Sequence, residues 1–357
     1  MGGHQPPSPM QTLIVAPDTV TEAVMTQPLV ALLSRFDPGG RIDVLAGPAV
    51  AAVFEAMTDV ASVFVSPRVT GPVQPWGKLL LARRLDRCRH DRVFVLPGSK
   101  RAALVPWLAR IPVRIGLSAD TRWGLINQPH DASAGAAAER GRPLVERFAH
   151  LAFDATQPLP GQAPHPVLGR DPQRETAART RAGLTPSSRL LVLAVGAENG
   201  PARRWPARHW AALLSMAAES WPDLVPVLVG DAADRAFATE VSALAGRAAR
   251  NLCGEQSPAD AIALIAQAEA VVAHDCGLMH VAAAYARPMV AVFGPTDPRF
   301  APPRSPVAKV QWLHQECSPC HQRECRFGHT QCMAGVRPEA VLASLRTLLR
   351  LPARNVR

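Results

Sequence analysis

Residues 271–298 read VVAHDCGLMHVAAAYARPMVAVFGPTDP, and this stretch decides the fold. An apolar, strand-like run ends near Ala273, the loop His274-Asp275-Cys276-Gly277 follows, and a helix is expected from about Leu278. Met289 to Phe293 is a second buried-type strand that ends in the loop Gly294-Pro295-Thr296. Both loops then fall at the same edge of one sheet. Backbone N–H groups at the start of such a helix lack helical partners and suit a phosphate. Gly277 lets a ligand approach the backbone closely, and His280 lies in the first turn, within reach of the same anion. The plainer alternative is an ordinary strand–turn–helix with Asp275 as its cap.

The same alternation extends outward. Upstream, Leu190 to Val195 is a buried-type strand, Pro206 opens a helix at its first-turn position, and Val225 to Val229 is a strand ending at Gly230. Ser257-Pro258-Ala259-Asp260 carries the cap, first-turn proline and acid of a helix start. Downstream, an amphipathic helix is expected from Pro338 to Leu349. In the other half, strands are expected at Thr12–Ala16, Arg41–Leu45, Val63–Val65, Val93–Leu96 and Val113–Gly116. Helices are expected over Glu22–Phe36, interrupted by Pro28, and over Val50–Met57. Strands alternating with helices imply an α/β protein whose parallel sheets are covered on both faces. Between 156 and 176, Pro158, Pro160, Pro164, Pro166 and Pro172 crowd a segment of little periodicity, read as an interdomain linker. The expected division is a first domain at 10–155, the linker at 156–176, a second domain at 177–336 with a Cys-rich loop at 317–332, and a C-terminal helix at 337–357. Two such domains suggest a cleft, with ligands beyond the carboxyl ends of the strands.

Composition narrows the function. A chain of 357 residues fits two domains of common size. With 48% hydrophobic and 19% charged residues it is globular rather than disordered. No apolar run reaches the roughly 20 residues of a membrane span, and residues 1–10 hold no signal-type apolar region, so a cytoplasmic protein is expected. The net charge of +10 is mostly arginine. It is either a solvated surface or a match for an anionic partner. Lys78, Arg83, Arg84, Arg87, Arg89 and Arg92 concentrate it, opposed only by Asp86 and Asp91. No aromatic residues interleave with that run, which disfavours single-stranded nucleic acid. Four of the 7 cysteines, Cys317, Cys320, Cys325 and Cys332, sit close together. In a cytoplasmic chain this means reduced thiols or a metal, not a disulfide framework. The spacing C-x2-C-x4-C-x6-C suits zinc or an iron–sulfur cluster, with His314, His321 and His329 as further ligands. Reduced cysteines in a packed surface loop are the other reading, and any metal there is expected to be structural.

Several stretches carry a family likeness. DCGLMHVAAAYARPMVAVFGPTDP closely resembles the DSGLMHVAAAL-RP-VALYGPT-P signature of the bacterial lipopolysaccharide heptosyltransferases, glycosyltransferase family nine. Residues 196–206, GAENGPARRWP, resemble that family's PGAEFGPAKRWP loop. Residues 95–107 resemble its LPNSFKSALVPW segment, and Arg114-Ile115-Gly116 and Arg122-Trp123-Gly124-Leu125 also fit. Cys317-Ser318-Pro319-Cys320, Arg323-Glu324-Cys325, Gly328-His329 and Cys332-Met333 are similar to the heptosyltransferase II branch. The likeness covers nearly the whole chain from Met10 onward, and since family members start just before the first strand, the resemblance implies that residues 1–9 are an extension.

The resemblance implies a GT-B fold of two Rossmann-like domains facing a central cleft, and an inverting transfer of heptose from ADP-heptose to the heptosyl-Kdo inner core of lipopolysaccharide in Gram-negative bacteria. It implies no required cofactor or metal, no nucleic-acid partner, and work at the inner face of the inner membrane. Donor contacts are expected from Ala197, Glu198, Arg203, Arg204, Asp275, Cys276, Gly277, His280, Gly294 and Thr296. Arg203 stands where the family has a phosphate-binding Lys, and its planar fork reaches differently. Lys100, Arg83, Arg84 and Arg122 are expected to meet the anionic acceptor, heptosyl-Kdo-lipid A. The family's first loop, GPSWVGD-VM, is altered. Glu22 stands at the catalytic Asp position and Thr21 at the preceding Gly. Glu22 has a carboxylate of similar unperturbed pKa, but its extra methylene moves that group by on the order of 1 Å. Asp18 is the alternative base. A weakened, nucleotide-sugar-binding homologue, or a paralogue adding a different core heptose, are the rival readings. Cys276 replaces the signature Ser with a weaker hydrogen-bond donor.

Overall fold

The computed structural model describes residues 9–66, 74–117, 124–130, 142–154, 161–197, 200–246 and 249–350. The chain divides into two compact units, Met1–Pro166 and Val167–Arg357. The division falls inside the proline-rich segment. That segment is not all linker, however: Pro172–Arg181 is a helix of the second unit, with Asp171 capping it through the N–H groups of Gln173 and Arg174.

The first unit holds β1 (Gln11–Val15), β2 (Arg41–Ala46), β3 (Ser62–Val65), β4 (Arg92–Val95), β5 (Val113–Leu117) and β6 (Gln128–His130). They form one sheet in the order β3-β2-β1-β4-β5-β6, and each neighbouring pair is parallel. Leu13, Val15, Val93 and Val95 make its core with Leu85 and Ile111. The second unit holds β7 (Arg189–Ala194), β8 (Leu224–Val229), β9 (Arg250–Asn251), β10 (Ala270–His274), β11 (Met289–Phe293) and β12 (Ala308–Trp312). Their order is β12-β11-β10-β7-β8-β9, again parallel throughout. The two sheets share one topology. In each the strand order reverses beside the first strand, so β1/β4 and β7/β10 are the switch points where such sheets bind ligands.

Several boundaries differ from the sequence reading. Glu22–Phe36 is not one kinked helix. Val20–Met25 and Gln27–Phe36 are separate helices meeting at Thr26, and Pro28 sits in the first turn of the second, where its missing N–H costs nothing. Pro206 is the residue before its helix, which spans Ala207–Ser220. Ser257 and Asp260 form the reciprocal capping box at Pro258–Ala266. The C-terminal helix, Pro338–Leu349, is no appendage, because Val341, Leu342, Leu345 and Leu348 belong to the second unit's core. That core is anchored by Trp205 and Trp210, both fully buried, with ring centroids 5.0 Å apart and edge to face. Among the described residues no helix is long and apolar enough to cross a membrane.

Candidate functional site

At the second unit's switch point, β10 ends at His274 and the helix Gly277–Ala284 begins after two residues. Cys276, not Asp275, is the N-cap of that helix. Asp275 is turned to another use. Its Oδ2 accepts from Arg203 Nη1 at 3.0 Å, and both side chains are largely buried, at 14% and 20% exposure. This pair joins the loop after β7 to the loop after β10, and so brings together two residues that the sequence reading named separately as donor contacts. Arg204 is engaged elsewhere. It donates to Asp234 Oδ1 at 2.5 Å and lies over the Phe237 ring. Burial, then the neighbouring Asp231 carboxylate, raise the Asp234 pKa, and Arg204 opposes them. Ala197 lies on the loop after β7, three residues beyond its end; Glu198 lies outside the described residues.

His280 is 1% exposed, and neither ring nitrogen has a protein partner. Burial pushes its pKa down to about 4, with Asp275 pulling the other way, so the ring is neutral near pH 7. Thr296, after β11, is also buried, and its Oγ1 has no partner. Two buried polar side chains without protein partners, one in the helix that follows β10 and one on the loop that follows β11, call for a polar ligand. Gly277 is buried at the helix start, where N–H groups are unpaired. Gly294 has a different reason to be glycine: a Cβ there would stand 2.3 Å from Met333 Sδ.

Sequence reasoning passed over His274. Its Nε2 accepts from the Trp205 backbone N–H at 2.8 Å, and its Nδ1 meets the Gly196 carbonyl at 3.2 Å. One nitrogen must accept and the other donate, which fixes the neutral Nδ1–H tautomer. Burial pushes its pKa to about 4, consistent with that state. The available signal was position: a polar residue closing a central strand beside the switch point.

At the first unit's switch point, the loop after β1 carries Asp18, exposed on the turn, and leads into Val20–Met25. Glu22 is half-buried in that helix's first turn. Thr19 Oγ1 accepts the Glu22 N–H at 3.3 Å and donates to Glu22 Oε2 at 3.0 Å. Thr19-x-x-Glu22 is therefore a helix-capping pair, a role unseen from the sequence. The loop after β4, the strand paired with β1, leads to exposed Lys100 at the head of Lys100–Leu108, a helix capped by Ser99. Arg83 and Arg84 are exposed on the helix Gln74–Asp86 rather than on these loops, and Arg84 lies over Phe64. Arg122 lies outside the described residues.

A family model for glycosyltransferase family 9 (heptosyltransferase) matches residues 79–331. The lipopolysaccharide heptosyltransferase 2 of Escherichia coli K12 is 32% identical over 349 residues, covering 95% of this chain and 99% of that protein. The lipooligosaccharide heptosyltransferase 2 of Haemophilus ducreyi is 31% identical over 355 residues, with 95% and 99% covered. Among solved structures, the E. coli ADP-heptose lps heptosyltransferase II superposes with a TM-score of 0.81 at 31% identity, covering 95% of this chain and 98% of that one. A family 9 glycosyl transferase from Veillonella parvula shares the fold, with a TM-score of 0.80 at 17% identity, covering 95% and 97%.

Proposed function

The chain belongs to glycosyltransferase family 9, the heptosyltransferases, and on that premise we propose that it moves a heptose from ADP-heptose to the heptosyl-Kdo inner core of lipopolysaccharide, with inversion. That it is a heptose-transferring glycosyltransferase of GT-B fold follows from its relatives. Donor, acceptor and residue roles are our reading. The observation that carries the donor assignment is the second switch point. There the Arg203–Asp275 pair, two unpaired buried side chains and a helix start share one edge.

In this reading the acceptor hydroxyl attacks the anomeric carbon in line. Its proton passes to the Glu22 carboxylate, the bond from the anomeric carbon to the diphosphate oxygen breaks, and ADP leaves from the opposite face. Arg203 and the helix N–H groups stabilise the charge building on the diphosphate. Neutral His280 offers one N–H and one acceptor nitrogen, and Thr296 one hydroxyl, to the donor's polar atoms. Ala197, Glu198, Cys276, Gly277 and Gly294 complete the donor loops, and Arg204 holds its loop through Asp234. With these donors in place the transfer requires no metal or cofactor. Lys100, with Arg83, Arg84 and Arg122, meets the anionic acceptor, heptosyl-Kdo-lipid A, at the cytoplasmic face of the inner membrane.

Calorimetry with ADP and ADP-heptose tests the donor site. Wild type binds both and Arg203→Ala weakens both; failure of wild type to bind either contradicts the assignment. Reversing charge at Arg83 and Arg84 should raise the acceptor KM and leave the donor KM alone. A second reading, weakened transfer with donor binding retained, is favoured by one observation: the Glu22 carboxylate is held by Thr19 in a helix cap. Binding without turnover at high enzyme concentration would mark it. A paralogue adding a different core heptose would show itself by acceptor choice.

A further inference from the structure

Four cysteines that the transfer does not use gather in one place. Cys317, Cys320, Cys325 and Cys332 line a single small pocket, with Ala202 and Pro295 of the donor loops also at its wall. The Cys332 side chain is largely buried. None of the four is in a disulfide.

Three of the four thiols stand on irregular backbone between β12 and the short helix Gln331–Ala334. Among the described residues, no three His, Cys, Asp or Glu side chains already stand in ligand geometry around one point. A bound ion must therefore draw the sulfurs inward, and a loop without its own strand or helix permits that.

We propose that Cys317, Cys320, Cys325 and Cys332 bind a single transition-metal ion, zinc or iron, through four thiolates, and that this ion fastens the donor loops. Two residues between Cys317 and Cys320 allow both sulfurs to reach one ion. Each thiol gives up its proton to solvent as it binds. The fastening follows from the hydrogen bonds of the same segment. Ser318 Oγ donates to the Gly294 carbonyl at 2.5 Å, and the N–H groups of Cys320 and His321 donate to the Pro295 carbonyl at 3.0 and 2.8 Å. The Arg323 carbonyl accepts the Ala202 N–H at 3.1 Å. The cysteine segment thus grips the loop bearing Arg203 and the loop bearing Thr296. Only this fastening role rests on the donor-site reading; the metal site stands without it.

Elemental analysis of the purified full-length chain, with a labile-sulfide assay, tests the site. About one zinc or one iron per chain, without sulfide, is expected, and the element found identifies the ion. Cys317→Ser and Cys325→Ser should each lower the metal content about fivefold or more, and Cys88→Ser, in the first unit, should not. If the serine variants fail to fold, cobalt(II) titration of metal-stripped wild type reads the same site through its thiolate-to-cobalt absorption. Metal below about a tenth of an equivalent, with no cobalt absorption, overturns the site, and stoichiometric sulfide overturns the single ion. Hydrogen exchange before and after chelation reads the fastening. Faster exchange at 200–204 and 294–297 is expected, and unchanged exchange there with the metal removed overturns that role. Neither readout involves transfer, so this inference and the proposed function fail separately.

Discussion

The backbone N–H of Trp205 donates to Nε2 of His274 across 2.8 Å, while Nδ1 of the same ring faces the Gly196 carbonyl. One buried imidazole thus ties the end of β10 to both ends of the loop that carries Arg203. His274→Phe keeps the bulk and removes both partners. Each of the two stranded groups costs about 1–3 kcal/mol, so chemical denaturation should show a stability loss of about 2–6 kcal/mol. The donor KM should rise more than the acceptor KM, because the loop that moves bears Arg203.

Stability should depend on pH through two histidines. His274 and His280 titrate near 4 when folded and near 6.5 when unfolded. A base whose folded pKa is depressed binds fewer protons in the folded state. Its contribution is complete above about pH 6.5 and is lost as pH falls toward about 4. Each shift corresponds to about 3 kcal/mol. Urea unfolding between pH 7 and 4 should show this decline, and His274→Phe should make it shallower.

Arg203 and Asp275 form a largely buried pair, and the approaching diphosphate is a stronger anion than a single carboxylate. Arg203→Ala should raise the donor KM about 10- to 100-fold, the range of a charged hydrogen bond. Arg203→Lys restores the charge without the fork and should recover part of that loss. Steady-state kinetics at saturating acceptor separates the two.

Glycines around the cysteine segment are required for packing. Gly200 has φ of 112°, and a Cβ there would lie 2.5 Å from the Arg323 carbonyl oxygen. Gly294→Ala places its methyl against the Met333 side chain, which can shift. Gly200→Ala meets backbone and a strained φ together. Gly294→Ala should cost about 1–3 kcal/mol by overpacking, and Gly200→Ala should cost more. Thermal unfolding of the two variants gives the ranking.

The parallel sheets were legible because their strands are continuous apolar runs. Leu190–Val195 and Met289–Phe293 lie within a residue of β7 and β11. β6, β9 and β12 were missed: β6 and β9 are three and two residues long, and β12 is half polar. The loops proposed to hold the donor were readable through the motif at 271–298, which carries Asp275, Gly277 and His280. What the sequence withheld is pairing at a distance. Nothing local says that Asp275 partners Arg203, that Arg204 partners Asp234, or that His274 bridges two loops. Glu22 stood out as a candidate base by family position, but its bond to Thr19 needed the helix to start at Val20. Charge density alone likewise did not distinguish Arg83 and Arg84, on a helix face, from Lys100, beside a switch point.

The central claim, heptose transfer with Glu22 as base, is tested most directly by incubating the purified protein with ADP-heptose and heptosyl-Kdo-lipid A. Mass spectrometry of the acceptor reads the product, with Glu22→Gln, Glu22→Asp and Asp18→Asn run in parallel. The account predicts a gain of one heptose by wild type and by Asp18→Asn, with the rate of Glu22→Gln lower by about 10²-fold or more. A Glu22→Gln rate equal to wild type, or product from Glu22→Asp but none from wild type, would contradict it.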